Sequence, residues 1–372
     1  MPGDKAHFEA DLPRMVADLE ALVRLESPSD DASRVSVLAA WVRDRLRERG
    51  VGAELRPCPP RGEALLASIG GRGGGTLVLG HLDTVWPLGS LATFSMRVEG
   101  DRLSGPGVFD MKAGIAVAMA VLSALAKEGP AAPSASLLLV PDEEVGTASS
   151  RDLLLSVARR HRRVLVLEPS LDGAAKIARK GTGTFQVSFT GAAAHAGLEP
   201  EKGASALMEL ALFVISAETL TDPATETSVV ATQAQAGSAP NVVPERASVV
   251  VDARVWTREE AARVEGAIRD YRSVDPRVFV SAQGSFDRPP MEPTPASRAL
   301  YERARALAAG LGFELGAARV GGASDGNLTA AAGVTTLDGL GPRGGGAHAR
   351  GEWVEIPDLP RRAALLAALL AE

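Results

Sequence analysis

The sequence is poor in cysteine, since Cys58 is the only one among 372 residues. A single thiol excludes an internal disulfide, and it equally excludes a metal site built from several thiolates. Any metal bound by this chain would therefore be held mainly by histidine and carboxylate side chains.

The chain also lacks an excess of positive charge and the pattern of a signal peptide, and we expect no apolar run long enough to span a membrane. Its net charge is -6 and its pI is near 5.6, so we expect no basic surface that could neutralise a nucleic-acid backbone. The first residues lack the basic start and apolar centre of a signal peptide, and we expect no segment near the roughly 20 apolar residues that span a bilayer. The sequence predicts a cytoplasmic protein that binds neither nucleic acid nor a membrane.

The length of the chain predicts more than one domain. A domain has roughly 150 residues, and a single hydrophobic core rarely extends over a chain as long as this one. Residues 1–177 alternate helical patterns with apolar strand-like runs, which include residues 76–80, 136–140 and 163–168. This alternation is typical of an α/β fold in which helices cover a mostly parallel sheet. We therefore predict that residues 1–177 form the first part of such a domain.

The pattern changes after residue 177 and returns near residue 289. Residues 178–288 contain about four strand patterns and two helical patterns, which predict a smaller α+β domain inserted into the first. Residues 289–372 resume the alternation of helix and strand and end in a helical pattern. We interpret them as the second part of the main domain.

Histidine is scarce, and the positions of the five histidines are informative. His7 lies in a polar amino-terminal segment and His161 lies in a basic run, so both are predicted to be solvated surface residues. His81, His195 and His348 instead lie in glycine-rich or acidic loops beside predicted strand ends. These three are the candidates for a functional role.

Acidic residues occur in the same kind of place. Asp110 is predicted to open a helix after a glycine-proline loop, Glu144 follows the strand-like run 136–140, and Glu168 ends the run 163–168. Together with His81 they should meet at the carboxyl edge of one parallel sheet, where α/β folds place their ligands. Clustered carboxylates without a cation would raise one another's pKa. We therefore predict a bound divalent metal.

Eight motifs carry a resemblance that covers almost the whole chain. In order they are GHLDTV, GPGVFDMKAG, DEEVGT, EPS, GAAAHAG, NVVPERASVVVDAR, GGASDGN and GAHARGEWV. The sequence resembles the M20 family of metal-dependent peptidases and deacylases, and within it the glutamate carboxypeptidases of the carboxypeptidase G2 type. This resemblance implies a catalytic α/β domain and an inserted α+β domain that acts as a lid and forms a homodimer.

The resemblance also implies which residues bind metal. His81, Asp110 and Glu168 would hold one zinc ion, while Glu144, His348 and the same Asp110 would hold a second. Imidazole and carboxylate ligands suit zinc, and cobalt or manganese could be accepted in its place.

Three further residues receive catalytic roles from the resemblance. Glu143 is similar to the general base that takes a proton from the attacking water. Asp83 would accept the second ring N–H of His81 and so fix its tautomer. His195 would stabilise the developing oxyanion, either within its own chain or across the dimer.

Substrate binding is implied at three positions in the inserted domain. Asn241 and Arg254 match residues that bind carboxylate or carbonyl groups of the substrate. Arg288 is similar to an arginine that meets a substrate carboxylate, and a guanidinium suits that group because it can bind both oxygens.

The sequence thus predicts a two-zinc hydrolase that removes a carboxyl-terminal amino acid, glutamate foremost, from a peptide or an N-acyl conjugate. An N-acyl amino acid deacylase of the acetylornithine or succinyl-diaminopimelate type is an alternative with the same chemistry. A further alternative is a two-domain binding protein without activity. A nucleotide-binding protein is excluded, because the glycine-rich residues 70–75 are not followed by the lysine and hydroxyl residue of a phosphate loop.

Overall fold

The computed structural model describes residues 4–71 and 74–372, and these residues contain ten α-helices and sixteen β-strands. Residues 72–73, part of the glycine-rich connection, lie outside the described residues. The helices are α1 Lys5–Arg24, α2 Ala32–Glu48, α3 Ser90–Thr93, α4 Ala113–Ala126, α5 Arg151–Ala158, α6 Ala206–Glu218, α7 Arg258–Arg269, α8 Pro295–Gly310, α9 Asp325–Ala331 and α10 Asp358–Leu370.

The strands fall into three larger groups and one short pair. They are β1 Gly52–Pro57, β2 Glu63–Ile69, β3 Thr76–His81, β4 Arg97–Glu99, β5 Arg102–Ser104, β6 Ala135–Val140, β7 Arg163–Val166, β8 Ala175–Arg179, β9 Gly181–Thr190, β10 Ser228–Ala236, β11 Arg246–Val255, β12 Phe279–Arg288, β13 Ala317–Val320, β14 Thr335–Leu337, β15 Gly344–Gly345 and β16 Trp353–Glu355.

The chain divides into two compact units. The first consists of Met1–Ile177, Pro293–Arg319 and Ser324–Glu372, and the second of Ala178–Glu292 with Val320–Ala323. The second unit therefore ends four residues beyond the predicted insertion and takes in a short segment from much later in the sequence.

The first unit is built on a six-stranded sheet in the order β1-β2-β6-β3-β7-β14. Strands β6, β3, β7 and β14 are parallel, while β1 and β2 complete the sheet in antiparallel pairing. Every residue of β3 and β6 is buried, which is the pattern of parallel strands that are covered on both faces. The predicted α/β class with a mostly parallel sheet is confirmed.

Helix α4 is almost entirely buried in the first unit, where it packs against both α1 and α10. The segment Val108–Ala126 has the length and apolar composition of a membrane span, contrary to our expectation, but 94% of its apolar window is buried inside the protein. An apolar helix without a polar face is typical of a protein core. Gly114 permits the close packing of α4, because a Cβ atom there would lie 2.4 Å from the carbonyl oxygen of Leu167.

The second unit is a four-stranded antiparallel sheet in the order β10-β11-β9-β12, with α6 and α7 packed against it. Along β9, buried residues alternate with more exposed ones, as the alternating sequence pattern predicts. The apolar side chains of the buried face form their own core with both helices.

The prediction that His161 is a solvated surface residue is wrong. Its side chain is buried, with Nδ1 2.9 Å from the carbonyl oxygen of Val157 and Nε2 3.0 Å from Oγ of Ser136. The neighbouring arginines made the segment look exposed, but the ring turns back onto the sheet and satisfies both of its nitrogens. His161 is therefore a structural residue.

Candidate metal centre

Parallel strands bring four predicted site residues to one edge of the sheet. His81 is the last residue of β3 and lies in register with Val140, the last residue of β6. The turn that carries Glu143 and Glu144 follows β6, and Glu168 lies two residues beyond the end of β7. The strand before Glu168 is shorter than predicted, which leaves the glutamate in the loop.

Asp110 reaches the same place from an irregular turn. The prediction that it opens a helix is wrong, because α4 begins at Ala113 and Asp110 has the non-helical dihedral angles φ -113° and ψ 96°. A glycine at position 80 makes room for this turn, since a Cβ atom there would lie 2.5 Å from Cε of Met111. The turn thus sits directly against the carboxyl end of β3.

His348 comes from the turn between β15 and β16, in the small sheet β15-β16-β5-β4. Its φ of 62° lies in the left-handed region, which is uncommon for a residue with a side chain. The side chain is half exposed, whereas the other four predicted ligands are largely buried.

The carboxylate of Asp110 lies between the two imidazole rings. Its Oδ1 is 3.2 Å from Nε2 of His81, and its Oδ2 is 3.2 Å from Nε2 of His348. Glu168 Oε1 lies 3.5 Å from Nε2 of His81, and Glu144 Oε2 lies 3.2 Å from Nε2 of His348. The structure therefore arranges the five predicted ligands as two groups that share Asp110.

These groups have the chemistry and the spacing of metal ligands. Ligand atoms around a tetrahedral zinc ion, with bonds of about 2.0–2.1 Å, are separated by about 3.3 Å, close to the distances observed. Oε1 of Glu144 is buried and has no hydrogen-bond partner among the described residues. Such an orphaned buried oxygen is costly unless a cation binds it. The residues present fit two divalent cations.

The tautomer of His81 leads to the same conclusion. Nδ1 lies 2.9 Å from the backbone carbonyl oxygen of Asp83, so this nitrogen carries a proton. Nε2 consequently faces the carboxylates of Asp110 and Glu168 with a lone pair, unless it binds a second proton or a cation. His81, Asp110 and Glu168 could together hold a divalent cation, whose positive charge would remove this repulsion.

In the metal-free protein, protons take the place of that positive charge. Burial disfavours the charged form of His81, but hydrogen bonds to Asp110 and Asp83 raise its pKa well above the ordinary value. Asp110 and Glu144 raise the pKa of His348 to about 10. Burial alone would raise the pKa of Asp110, yet the two imidazoles hold it well below its usual range. Metal binding must therefore displace protons from the histidines.

This electrostatic arrangement predicts a pH dependence for the stability of the metal-free protein. Because the folded-state pKa of His348 is raised from 6.5 to about 10, its contribution is complete below pH 6.5 and is lost as the pH rises towards 10. With a chelator present, we expect the Tm of the wild type to fall more over this range than the Tm of His348→Gln. Equal slopes for the two proteins in thermal unfolding would contradict this assignment.

Asp83 does more than the sequence predicted. The nearest acceptor for Nδ1 of His81 is the backbone carbonyl of Asp83, while its carboxylate Oδ1 lies farther away, at 3.4 Å. The carboxylate instead accepts backbone N–H groups of Glu143 and Glu144, each at 3.1 Å, and the hydroxyl of Ser29 at 2.8 Å. Asp83 thus joins the His81 strand end to the turn that carries Glu143 and Glu144.

Two supporting residues were missed by the sequence analysis. Ser29 lies in a serine- and proline-containing segment after α1, and Asp142 accepts the N–H of Ser149 at 2.7 Å and the hydroxyl of Ser150. Both hold the loops around Glu143. The only signal for Asp142 is its position directly before the two glutamates, and Ser29 lies far from them in the sequence.

Glu143 lies beside the predicted ligands. Its carboxylate, together with ligand atoms of His81 and Glu168, forms a group in which all atoms lie within 4.8 Å of one another. The residue is buried, with a relative exposure of 7%. It is therefore close enough to exchange a proton with a group held at this centre.

The remaining predicted site residues belong to the second unit. His195 and Asn241 lie on neighbouring segments there, with the N–H of Ala196 donating to the carbonyl of Asn241 at 2.9 Å. Arg254, on β11, forms a two-bond ion pair with Asp252 at 2.8 and 2.9 Å. Arg288 ends β12 with its side chain largely buried.

The fold and the ligand arrangement together define a metal-dependent hydrolase. The sequence model of peptidase family M20/M25/M40 matches residues 77–372, and the chain belongs to this family. The predicted family and the prediction that the protein is an enzyme are both confirmed.

Two relatives and one solved structure illustrate the similarity. The chain is 31% identical over 382 residues to carboxypeptidase G2 of Pseudomonas sp. (strain RS-16), covering 99% of this chain and 92% of the relative. It is 30% identical over 340 residues to a succinyl-diaminopimelate desuccinylase of Methylobacterium sp. (strain 4-46), covering 84% of each. A dinuclear metal-binding M20 peptidase from Bacillus subtilis shares the fold, with a TM-score of 0.69, 16% identity and 98% coverage of both chains.

Proposed function

We propose that this protein is a two-zinc hydrolase that removes a carboxyl-terminal amino acid, glutamate foremost, from a peptide or an N-acyl conjugate. The observation that carries the proposal is the Asp110 carboxylate between His81 and His348, with Glu143 beside the same group of ligands. The similarity to carboxypeptidase G2 over almost the whole chain supports the amide-bond chemistry.

The five ligands divide the proposed metals between them. His81, Glu168 and Asp110 would hold one zinc ion, and His348, Glu144 and Asp110 the other. Bound divalent cations supply Lewis acidity to the scissile carbonyl and make water easier to deprotonate. Cobalt or manganese could replace zinc, because all the ligands are imidazole or carboxylate.

Glu143 would move the proton in this reaction. Its carboxylate accepts a proton from the attacking water and then delivers it to the nitrogen of the leaving amine. The backbone N–H of Glu143 donates to the carboxylate of Asp83, and this bond fixes the backbone from which the Glu143 side chain extends. Glu144 is unsuited to the role, since its Oε2 lies 3.2 Å from Nε2 of His348 and its carboxylate would hold the second metal.

His195 has the tautomer that an oxyanion donor needs. Its Nδ1 accepts the N–H of Gly197 at 3.1 Å, so in the neutral ring the proton resides on Nε2. The side chain is exposed, and Nε2 is available to donate to a negatively charged oxygen. We assign His195 to stabilisation of the tetrahedral intermediate when substrate is bound.

Replacing His195 by alanine is expected to lower kcat by about 10²–10³-fold, the usual effect of removing one oxyanion donor. Metal content should remain that of the wild type, because His195 is not among the ligands. The matched control is His7→Ala, which removes a histidine from α1 and should leave kcat unchanged. A His195→Ala protein with normal kcat would refute the role.

Asn241, Arg254 and Arg288 are the proposed contacts for the substrate. Guanidinium groups match carboxylates with two parallel hydrogen bonds, so the arginines favour a substrate with free carboxylates. Arg288 is the stronger candidate for a side-chain carboxylate, because its guanidinium is held in a largely buried setting. This preference is the reason for placing glutamate first.

A deacylase that releases an N-acyl group from an amino acid is the second candidate. The 30% identity to a succinyl-diaminopimelate desuccinylase over 84% of the chain favours it. Measuring kcat/KM on glutamyl peptides and aroyl-glutamates, and on succinylated and acetylated diamino acids, separates the candidates. A preference of at least about tenfold for glutamyl conjugates supports the first, and the reverse preference supports the second.

We further propose a homodimer formed through the second unit. Helix α6 exposes a group of apolar side chains, with Leu207, Met208 and Ile215 at 46%, 62% and 67% relative exposure. The adjacent strand β10 is an edge strand, since within the described residues it pairs only with β11. A second copy related by two-fold symmetry could pair with this edge in antiparallel fashion and cover the helix.

Changing Ile215 to glutamate should convert the dimer to a monomer. A carboxylate buried without a partner costs about 3–5 kcal/mol, which raises the dissociation constant by at least about 100-fold. Val274→Glu, at an equally exposed apolar residue of the same unit outside α6, should leave the dimer intact. Light scattering after size-exclusion chromatography measures both, and a dimeric Ile215→Glu protein would contradict the proposed interface.

A further inference from the structure

Glu352 has a buried carboxylate whose role is not explained by the proposed ligands or by Glu143. It lies four residues after His348 and directly before β16, and its relative exposure is 0%. A wholly buried carboxylate is costly unless several donors satisfy it. Its hydrogen bonds therefore identify what it holds in place.

Four N–H donors surround this carboxylate. Oε1 accepts the backbone N–H groups of Phe109 at 2.8 Å and Asp110 at 3.0 Å. Oε2 accepts the backbone N–H of Gly107 at 2.9 Å and the indole N–H of Trp86 at 2.7 Å. Each oxygen thus accepts hydrogen bonds from two donors. This environment suits a carboxylate, which only accepts hydrogen bonds, and it does not suit the donating NH₂ group of a glutamine.

Three of these donors belong to the turn that delivers Asp110. The turn has irregular backbone angles at Asp110 and Met111, so the i to i-4 bonds of a regular helix do not hold it. The Glu352 carboxylate supplies the acceptors instead. Removing it would leave three backbone N–H groups in this turn without their buried acceptor.

The backbone of Glu352 makes the corresponding connection to His348. Its N–H donates to the carbonyl of Ala349 at 3.1 Å, which closes the turn that directly follows His348. Its carbonyl accepts the N–H of Gly105 at 3.1 Å, at the start of the segment leading to Asp110. One residue therefore joins the two turns that bring Asp110 and His348 within 3.2 Å of each other.

We propose that Glu352 is a positioning residue that sets the distance between Asp110 and His348 and thereby the metal affinity of the site they share with Glu144. This inference rests on the proposed two-metal site. Residues that orient metal ligands typically change metal affinity by about 10–100-fold when they are replaced. The defect is expected to be larger at the metal held by His348, because Glu352 joins both turns that supply its ligands Asp110 and His348, and smaller at the metal held by His81, which shares only Asp110.

The test compares Glu352→Gln with the wild type and with Glu355→Gln, the same chemical change three residues later in β16. In Glu352→Gln, an amide NH₂ must face two N–H donors. After dialysis against a weak chelator, metal per chain is measured by mass spectrometry, and folding by circular dichroism. We expect about one metal in Glu352→Gln and about two in the other proteins.

A second readout excludes a general loss of structure. When metal-free protein is titrated with Co²⁺, the visible absorption of wild type and Glu355→Gln should rise through two binding steps. In Glu352→Gln the weaker step should shift to about 10–100-fold higher Co²⁺, and excess metal should restore most of kcat. A folded Glu352→Gln protein whose titration coincides with that of the wild type would overturn the inference.

The shorter side chain in Glu352→Asp provides a second variant if the glutamine protein does not fold. It keeps the charge but cannot reach all four donors, so it should also weaken the second binding step, and an unchanged titration would again overturn the inference. A wild-type protein that binds no more than one metal would instead refute the proposed two-metal function. The two failures are therefore distinguishable.

Discussion

Replacing Glu143 by alanine should lower kcat by about 10²–10⁴-fold, which is the usual contribution of a positioned general base. The metal content should stay at the wild-type value, because Glu143 is not one of the five proposed ligands. In the turn after β6, the carboxylate of Asp83 holds the backbone of both Glu143 and Glu144, but only Glu144 faces His348 as a ligand. The truncation of Glu143 should therefore leave the ligands in place. Steady-state kinetics and metal analysis on the same preparations measure the two effects.

The adjacent residue supplies a matched control. Glu144→Ala makes the same truncation one position along the chain, but it should lose metal as well as activity, because Glu144 lies 3.2 Å from Nε2 of His348. The two variants should thus differ in metal content while sharing low turnover. Near-normal kcat in metal-replete Glu143→Ala would refute the general-base assignment.

Replacing Asp110 by asparagine should remove metal from both positions. The amide is neutral and has one carbonyl oxygen in place of the two charged oxygens of the carboxylate, so only one of the two histidine neighbours would still face an oxygen. Loss of metal assistance worth several kcal/mol corresponds to at least about a 10³-fold fall in kcat/KM. Metal analysis and kinetics should therefore both show the defect.

Asp30→Asn is the control for this variant, since Asp30 is exposed and belongs to the loop before α2. It should bind metal and turn over as the wild type does. Asp110→Asn that keeps two tightly bound metals would contradict the assignment of Asp110 as the shared ligand.

The sequence predicted the parts of the fold that depend on local pattern. Continuous apolar runs marked β3 and β6 because both faces of these strands are buried, and the glycine at position 50 marked the end of α2. The turn at Asp110 was mistaken for a helix start, because a helical pattern begins only a few residues later. Its shape depends on contacts with residues far away in the sequence.

The same distinction applies to the site. The sequence pointed to His81, Asp110, Glu144, Glu168 and His348, which the structure brings together, because metal-binding chemistry restricts the residue types and the motifs of the resemblance contain them. The carboxylate contacts of Asp83 with the backbone of the next loop could not be found, since any backbone N–H can donate and the sequence does not record which one does. His161 was misplaced because charged neighbours do not show which way a ring turns.

The most direct test of the account is a zinc titration of chelator-treated protein, with bound metal and hydrolysis of glutamyl conjugates measured on the same samples. We predict no hydrolysis without metal, activity that saturates at about two zinc ions per chain, and the same binding curve without activity in Glu143→Ala. Full activity in the metal-free protein, or failure of the protein to bind zinc at all, would contradict the account.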